Sequence, residues 1–542
     1  MKKVITLLSL AVLSAGSVFA YDFSLACKTG QSLYYDITDS VRREVSIVWP
    51  NEKAERLYDI YSGYMKPAGF VEIPAWVTHR GVEYKVTGIA SSFAFCEQLT
   101  GVHIPQTVKW IGPDAFSHCT GLTTANIPSY VEVIGDRAFA SCEALTGMLT
   151  LPATLTTIGE GAFASCVSLC GQLRLPRSLA TLGRSAFAEC RGFTGTLTFP
   201  AGLVDVPEYA FFRCSGLLAL TIQYGVRSVG NHAFEGCTGL RGALTIPTTV
   251  TCIGDYAFAG CQGFAGKLTI PRSVTEVYSH AFAGCTGLTG VVIPNTLTML
   301  PAYVFDGCTG LQGRLSIPGT INEIQEYAFR NCMKLNGTLV IPNSVRRIKG
   351  HAFAGCEGIR ELHLSASLEV IGDNAFAGDT GLRGKLYIPS NVTNIGDNAF
   401  MGCTGLTSVE VSPSVQVIGT NAFVDCRKLA LYDVDPANKR YTSNEGVLYS
   451  SMADTLIACP PAWSGSFAIP NHVKVVGDFA FHNCIYITDV YIPTTVRVIG
   501  NYAFAGCEGI TGTISVPATV KTVGQKAFVN CGRFPETIII QE

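Results

Sequence analysis

A segment of 23 or 24 residues recurs along most of this chain of 542 residues, and it constrains the fold more than any other feature. One copy runs from Leu244 to Cys261 with the sequence LTIPTTVTCIGDYAFAGC, and the next cysteine in the same position is Cys285. A fixed period of this length is typical of solenoids, in which each repeat contacts only its neighbours. We therefore expect a stack of coils rather than several globular domains.

The first half of the repeat predicts a short β-strand. Leu244 and Ile246 alternate with Thr245, which is the pattern of a strand with one buried face. Pro247 ends the strand because proline has no N–H to donate to a sheet. Equivalent strands in successive coils would pair in parallel.

The second half of the repeat predicts a short helical turn. Gly254 permits a tight turn, and Asp255 is placed to cap a helical turn that carries Ala257 and Phe258 into the core. Aspartate or asparagine recurs at this capping position in other coils, at Asp136, Asn231, Asp373, Asp397, Asn421, Asp478 and Asn501. The expected fold class is an α/β solenoid.

Cysteine occupies one fixed position of the repeat. Seventeen of the 21 cysteines lie on this register: Cys96, Cys119, Cys142, Cys166, Cys190, Cys214, Cys237, Cys261, Cys285, Cys308, Cys332, Cys356, Cys403, Cys426, Cys484, Cys507 and Cys531. Stacking places equivalent Cα atoms about 4.8 Å apart, but their Cβ vectors run parallel and give poor disulfide geometry. We predict a ladder of buried thiols, with Asp379 occupying the same position in one further coil, which makes 18 coils.

Four cysteines lie off this register: Cys27, Cys170, Cys252 and Cys459. A bridge between Cys252 and Cys261 is left open by the spacing. The chain has no C-x2-C pair of the kind that binds zinc, so the sequence predicts neither a metal nor a cofactor.

The start of the chain has the pattern of a secretory signal peptide. Lys2 and Lys3 precede the apolar run 4–12, and Val18-Phe19-Ala20 predicts cleavage after Ala20. A lipoprotein interpretation of Cys27 is weaker because the third residue before it is not leucine. We predict no membrane span, and the net charge of −2 does not favour nucleic-acid binding.

The repeat register defines the predicted organisation. We expect a signal peptide at 1–20, a β-rich N-terminal cap at 21–85, a repeat array at 86–434 and C-terminal repeats at 467–542. The gap between Cys426 and Cys484 contains an insert at 435–466, which we predict to be a hairpin that projects from the array.

The complete repeat resembles the BspA-like leucine-rich repeat family. The resemblance is carried by the spacing C-x2-L-x4-I-P-x2-V-x2-I-G-x2-A-F-x2-C, as in Cys119–Cys142, and covers about residues 70–534. It implies a leucine-rich repeat superhelix, which we expect to be right-handed, with a concave parallel sheet and helical or 3-10 turns on its convex side. It also implies exported or surface proteins, some of them adhesins, and supplies no catalytic residues.

Candidate contact residues lie on the strands of the C-terminal third and on the insert. One residue of each strand should point outward, and from His363 onward these residues mix aromatic and acidic types. The candidate partner-binding residues are His363, Tyr387, Glu410, Asp433, Tyr441, Tyr449, Trp463 and Tyr491. The alternative is that these are ordinary strand residues and that the insert only shields a sheet edge.

Three histidines recur just before the Ala-Phe pair, at His232, His280 and His351. They belong to distant coils, and we expect them to face solvent on the convex side.

The sequence favours a secreted or cell-surface scaffold that binds an extracellular protein or glycan without catalysis. A structural spacer of the cell envelope is the alternative. An enzyme is the remote third class, because no nucleophile, acid–base pair or phosphate loop stands out.

Overall fold

The computed structural model describes residues 21–51, 54–512, 514–532 and the backbone of 539–540. The predicted signal peptide lies outside these residues. The described part of the chain divides into two compact units, one running up to residue 226 with 237–239 and the other comprising residues 227–236 and the described residues from 240 onward. Each unit is a β-solenoid with two rows of strands.

The N-terminal segment continues the solenoid's own hydrogen-bond ladder. Its strands are Phe23–Ala26, Ser32–Asp39, Glu44–Val48, Trp76–His79 and Val82–Ile89, and a 3-10 helix covers Leu57–Asp59. Glu44–Val48 pairs in parallel with Val82–Ile89, which pairs in parallel with Trp110–Ile111 of the next coil. The segment therefore covers the first coil by adding strands to it.

The first row contains the strand predicted from the repeat, and its pairs are parallel, as in Thr196–Thr198 with Ala219–Thr221. In the first unit these strands are Gly69–Glu72, Leu99–His103, Thr124–Ala125, Gly147–Met148, Leu169–Gln172, Phe193–Thr194, Thr196–Thr198 and Ala219–Thr221. In the second unit they are Gly266–Thr269, Leu288–Val292, Gly337–Val340, Ile359–His363, Arg383–Tyr387, Gly405–Val411, Leu431–Val434, Gly465–Ala468, Ile487–Tyr491, Ser515–Val516 and Ile539–Ile540.

A second row of shorter parallel strands was not predicted. In the first unit it follows Val82–Ile89 with Trp110–Ile111, Val133–Ile134, Thr157–Ile158, Thr181–Leu182 and Asp205–Val206. In the second unit it comprises Ser228–Val229, Cys252–Ile253, Glu276–Val277, Met299–Leu300, Glu323–Ile324, Arg347–Ile348, Val370–Ile371, Asn394–Ile395, Val417–Ile418, Thr455–Ala458, Val475–Val476, Val498–Ile499 and Thr522–Val523.

The second row shows that the predicted number of 18 coils is too low. Each coil contributes one strand to this row, which gives about 19 coils. The additional coil comes from the insert, where Thr455–Ala458 pairs in parallel with Val475–Val476.

The predicted helical turns are hydrogen-bonded turns, so the α/β class is not confirmed and the fold is almost entirely β. In the coil Leu244–Cys261, Tyr256 and Gly260 have positive φ values of 52° and 70°. A right-handed helix requires negative φ values, so these two residues interrupt it. The N–H of Phe258 donates to the carbonyl of Ala281 in the next coil, at 2.9 Å, rather than to its own turn. Bonds between coils therefore alternate with bonds inside the turn, such as the one from the N–H of Ala259 to the carbonyl of Tyr256 at 3.0 Å, in place of the i→i−4 bonds of a helix.

The predicted capping residues also act between coils. The Oδ1 of Asp136 accepts the N–H of Glu160 at 2.8 Å, and that of Asp373 accepts the N–H of Asp397 at 2.9 Å. A side chain that was expected to cap its own helical turn thus binds the following coil, because there is no helix to cap.

The core contains a column of stacked phenylalanine rings in each unit. Ring centroids are 5.0–5.5 Å apart in the first unit and 5.2–5.6 Å apart in the uninterrupted part of the second. The columns consist of Phe93, Phe116, Phe139, Phe163, Phe187 and Phe211, and of Phe234, Phe258, Phe282, Phe305, Phe329, Phe353, Phe376, Phe400 and Phe423.

The predicted thiol ladder is confirmed, and the structure gives it a second role. Of the 17 register cysteines, 16 are buried and Cys531 is half-buried. Most of the thiols donate to the carbonyl of the column phenylalanine in the preceding coil, as Cys332 does to Phe305 at 3.3 Å. Burial raises the pKa of these thiols, for example that of Cys237 to about 12. Cysteine therefore fills a small apolar space and supplies a hydrogen-bond donor. No disulfide joins Cys252 to Cys261 in the described part of the chain.

The three recurrent histidines lie in one continuous stack, contrary to the expectation that they are separate and face solvent. Tyrosines from the intervening coils fill the gaps, and adjacent ring centroids are 4.1–4.8 Å apart. We call this set the aromatic row; in order it is His232, Tyr256, His280, Tyr303, Tyr327 and His351. All six side chains are half-buried.

The aromatic row predicts a loss of stability in acid. Burial lowers the pKa of His280 and His351 below the ordinary 6.5, so the unfolded chain binds protons at a higher pH than the folded one. Stability is thus complete above about pH 6.5 and falls as the pH decreases through the folded pKa values. We expect the double variant His280→Tyr with His351→Tyr to lose less stability than the parent between about pH 8 and about pH 5 in thermal denaturation.

The matched control is His363→Tyr, which changes an exposed histidine. It should leave the pH dependence of the parent unchanged. Equal pH profiles for the parent and the double variant would show that these two imidazoles do not govern acid stability.

Candidate binding surface

The first row exposes one regular face. Along the strand Arg383–Tyr387, Lys385 and Tyr387 are exposed while Leu386 between them is buried. This alternation follows from the twofold repeat of a β-strand, which sends successive side chains to opposite faces. The predicted outward residues His363 and Asp433 are exposed in the same way, and Glu410 is half-buried.

Three of the candidate residues are brought side by side by strand pairing. Tyr387 is in register with Glu410, and Glu410 with Asp433, so they lie on adjacent strands about 4.8 Å apart. Lys385 forms an ion pair with Glu410, and this hydrogen bond raises the pKa of Lys385. The result is a surface with one large exposed ring beside a paired charge and the carboxylate of Asp433.

Tyr491 lies further along the first row, beyond the strand Gly465–Ala468. It is in register with Ala468, a residue of the first row contributed by the coil that follows the insert. Tyr387 is 55% exposed and Tyr491 is 61% exposed, so each presents a large aromatic surface to solvent.

The insert forms the predicted hairpin but does not project from the stack. Tyr441–Asn444 pairs antiparallel with Val447–Ser450, and Val447, Leu448 and Tyr449 are buried. Tyr449, which was predicted to contact a partner, is 2% exposed and belongs to the core of the following coils. The prediction that Tyr449 lies on the contact surface is therefore wrong. The hairpin continues the stack, so one of its faces is buried.

The two other insert candidates are partly engaged in the fold. The hydroxyl of Tyr441 accepts the N–H of Ile418 at 2.8 Å, and Trp463 packs on the core with an edge contact to Phe467 at 5.0 Å. Both side chains are half-buried.

The insert also closes the exposed edge of the strand Leu431–Val434. Tyr432 donates its N–H to the carbonyl of Gly446 at 2.9 Å, and Val434 donates to the hydroxyl of Ser443 at 3.0 Å. These bonds satisfy backbone groups that would otherwise be open to pairing with another chain. Shielding of a sheet edge, the alternative interpretation of the insert, thus has direct structural support.

A cavity of about 270 Å³ lies between the insert and the coils around it, and it includes Asp478 and His482. Asp478 accepts the N–H of Asn501 at 2.6 Å, which commits it to the next coil. Burial lowers the pKa of His482, which favours the neutral imidazole. Asp478 is bonded to the backbone of the next coil and His482 favours its neutral form, so this pair does not suggest a catalytic acid and base.

Within the described residues there is no cluster of three or more metal-ligating side chains. The same residues include no helix that is long and apolar enough to cross a membrane.

The repeated strand, turn and buried thiol define a leucine-rich repeat solenoid. The sequence profile described as BspA type leucine rich repeat region matches this chain over residues 87–218, 147–264, 242–338, 337–444 and 464–542. The chain therefore belongs to the BspA-type leucine-rich repeat family. Comparison with curated proteins gives no match.

Several solved structures are similar to this chain. A leucine rich cell surface protein from Faecalibacterium prausnitzii A2-165 is 24% identical, with 76% of this chain and 95% of that chain covered and a TM-score of 0.38. A leucine-rich repeat protein from Bacteroides ovatus ATCC 8483 is 20% identical, with 94% and 92% covered and a TM-score of 0.28. The leucine rich repeat protein of T. pallidum is 27% identical, with 38% and 87% covered and a TM-score of 0.31.

Proposed function

We propose that this protein is a non-catalytic binding scaffold that recognises an extracellular protein or glycan through the outward face of its first row. The observation that carries the proposal is the exposure of Tyr387 and Tyr491 on strands whose neighbouring side chains are buried. A rigid backbone presents these rings at low entropic cost, which is the usual property of residues that dominate an interface.

The contact surface comprises His363, Tyr387, Glu410, Asp433 and Tyr491, which we call the C-terminal patch. Its mixture of aromatic and charged groups suits a partner with both apolar and polar contacts. Tyr441 bonds to the second row and Trp463 packs on the core, so we do not include these two candidates in the patch.

We propose that the protein is secreted or displayed at the cell surface. The signal-peptide pattern at 1–20 supports export, and the family match agrees with it. Fractionation of the native cells, followed by surface proteolysis, would locate the protein.

The alternative function is a structural spacer of the cell envelope without a dedicated ligand. The edge-shielding role of the insert is consistent with it. Arrays of purified matrix proteins and of glycans separate the two functions, because a spacer would bind none of them specifically.

We expect the double variant Tyr387→Ala with Tyr491→Ala to weaken binding of a partner found on these arrays by at least about tenfold, since buried aromatic anchors carry much of an interface's energy. Surface plasmon resonance would measure the affinity, and circular dichroism would verify the fold. The matched control replaces Tyr130 and Tyr278, which are 63% and 45% exposed and lie outside the patch. Unchanged affinity in the patch variant, with the fold intact, would remove the C-terminal patch from the binding surface.

A further inference from the structure

A groove in the first unit carries positive charge without a nearby counter-charge. It has a volume of about 590 Å³ and is formed by three successive coils. Arg174 and Arg177 lie in one coil, Thr196 and Thr198 in the next, and Gln223 in the third. None of the residues that line the groove is acidic.

The two arginines differ from the paired arginines of this protein in having no acidic partner. Arg137, for example, forms a bidentate pair with Asp114 at 2.9 Å and 2.7 Å, and Arg330 does so with Asp306. In the described part of the chain, neither Arg174 nor Arg177 lies within ion-pair distance of a carboxylate. Both side chains are exposed, so their guanidinium N–H groups are available to an anion from solution.

One of the arginines is held in place by its neighbours. The Nη2 of Arg174 donates to the Oε1 of Gln172 at 3.2 Å, and the Nε2 of Gln172 donates to the carbonyl of Thr196 at 3.0 Å. This chain of bonds links the guanidinium to the next coil. A guanidinium restrained in this way loses less conformational entropy when it binds.

The remaining groups of the groove favour a ligand rich in hydroxyl groups. Thr198 is exposed and in register with Thr221 on the next strand, and the amide of Gln223 is exposed beyond them. Tyr224, the next residue after Gln223, is 75% exposed and is available to stack against a sugar ring. The larger apolar side chains of the groove, such as Leu173, are buried and offer little to an apolar peptide side chain.

We propose that this groove binds an anionic polysaccharide, with Arg174 and Arg177 contacting its carboxylate or sulfate groups and the threonine and glutamine side chains contacting its hydroxyls. The proposal rests on the function of the protein as a binding scaffold, but it does not depend on the C-terminal patch. Planar guanidinium groups match carboxylate and sulfate oxygens with two parallel hydrogen bonds, which is a geometry that lysine does not provide.

The test uses the full chain and four probes: hyaluronan, dextran sulfate, neutral dextran and polyglutamate. Hyaluronan carries carboxylates and dextran sulfate carries sulfate esters. The polysaccharide that binds more tightly therefore shows which of these two anionic groups the groove prefers. We expect measurable binding to at least one of them in biolayer interferometry, weakening as salt is added, and none to neutral dextran. Tighter binding to polyglutamate than to either polysaccharide would overturn the proposal in favour of an acidic peptide.

The decisive variant is Arg174→Ala with Arg177→Ala, which should weaken polysaccharide binding by at least about tenfold, because each charge-assisted hydrogen bond contributes strongly. The matched control, Arg272→Ala with Arg314→Ala, removes two exposed arginines of the second unit, and Arg272 follows a proline as Arg177 does. It should change the affinity by less than about twofold. Equal losses of affinity in the two variants would show that only net charge matters and would overturn the proposed site. The absence of any loss in either variant would also overturn it. So would the absence of binding to both anionic polysaccharides.

A second pair of variants distinguishes geometry from charge. Arg174→Lys with Arg177→Lys preserves the charge but not the two-bond geometry, and it should still weaken binding several-fold. The C-terminal patch variant Tyr387→Ala with Tyr491→Ala should bind the polysaccharide as the parent does. Its failure to do so would show that the two surfaces are not independent, which contradicts the assignment of this ligand to the groove.

Discussion

Replacing Phe329 by alanine should lower the free energy of unfolding by about 3–5 kcal/mol, the range observed when a buried phenylalanine is truncated. Phe329 is fully buried, and its ring stacks between those of Phe305 and Phe353 at 5.4 Å and 5.5 Å. Both contacts are with neighbouring coils, so the cavity would weaken the interface that holds the stack together. Urea denaturation followed by circular dichroism measures the effect.

The control for this prediction is Met333→Ala in the same coil. Met333 is 46% exposed, and its truncation should cost less than about 0.5 kcal/mol. Hydrogen exchange would show whether the loss in the phenylalanine variant is concentrated in the coils of Phe305, Phe329 and Phe353. A loss similar to that of the methionine variant would mean that the column contributes little to stability.

The second large effect is expected at Asp379, the one acidic residue in the thiol ladder. Its side chain is fully buried, and its Oδ1 accepts the N–H of Cys356 at 2.7 Å. Its Oδ2 is buried without a hydrogen-bond partner among the described residues. The variant Asp379→Cys removes this unsatisfied oxygen and restores a thiol donor for the carbonyl of Phe353. We expect it to raise the free energy of unfolding by about 1–3 kcal/mol at neutral pH.

The gain from Asp379→Cys should increase with pH. Burial raises the pKa of the Asp379 carboxyl well above the ordinary 3.8, so the folded state binds its proton more tightly than the unfolded state. The contribution of this carboxyl to stability is therefore complete below pH 3.8 and is lost as the pH rises through the interval up to the folded pKa. Denaturation curves recorded from acid to neutral pH give the difference between parent and variant.

Asp379→Asn separates the two causes. It keeps the shape of the side chain and cannot ionise, so it should abolish the pH-dependent part without supplying the thiol hydrogen bond. A difference between parent and Asp379→Cys that stays constant with pH would show that ionisation of this carboxyl is not coupled to folding.

The local pattern of the chain was sufficient to predict the first row and the thiol ladder. Leu244, Ile246 and Cys261 point inward because their spacing in the repeat fixes their direction once coils stack. Periodicity expresses such short-range geometry directly. The outward positions of Tyr387 and Tyr491 follow from the same alternation and were also predicted correctly.

The structure of the turn could not be read from one repeat. A glycine followed by an aspartate, as in Gly254 and Asp255, is typical both of a helix cap and of a turn that pairs with the next coil. The choice depends on the partner of each backbone N–H, and that partner lies in another coil. The second row and the hydrogen bond from Asp136 to the following coil arise in this way.

The insert was misplaced for a related reason. Its break in the cysteine register suggested a departure from the stack, whereas Leu456 and Tyr449 preserve the buried face without the consensus residues. The aromatic row had a signal in the sequence, because Tyr256, Tyr303 and Tyr327 occupy the same position as the recurrent histidines. The signal of the row is therefore the shared position in the repeat, because histidine and tyrosine alternate there as residue types.

The sequence by itself determined the family, the repeating coil and the identity of the side chains that face inward, because these depend on spacing within one repeat. The tertiary structure alone decided which backbone groups pair, whether the insert joins the core, and which arginines of the groove lack a counter-charge. Those outcomes depend on contacts between residues about one coil or more apart, and no spacing within a single coil specifies them.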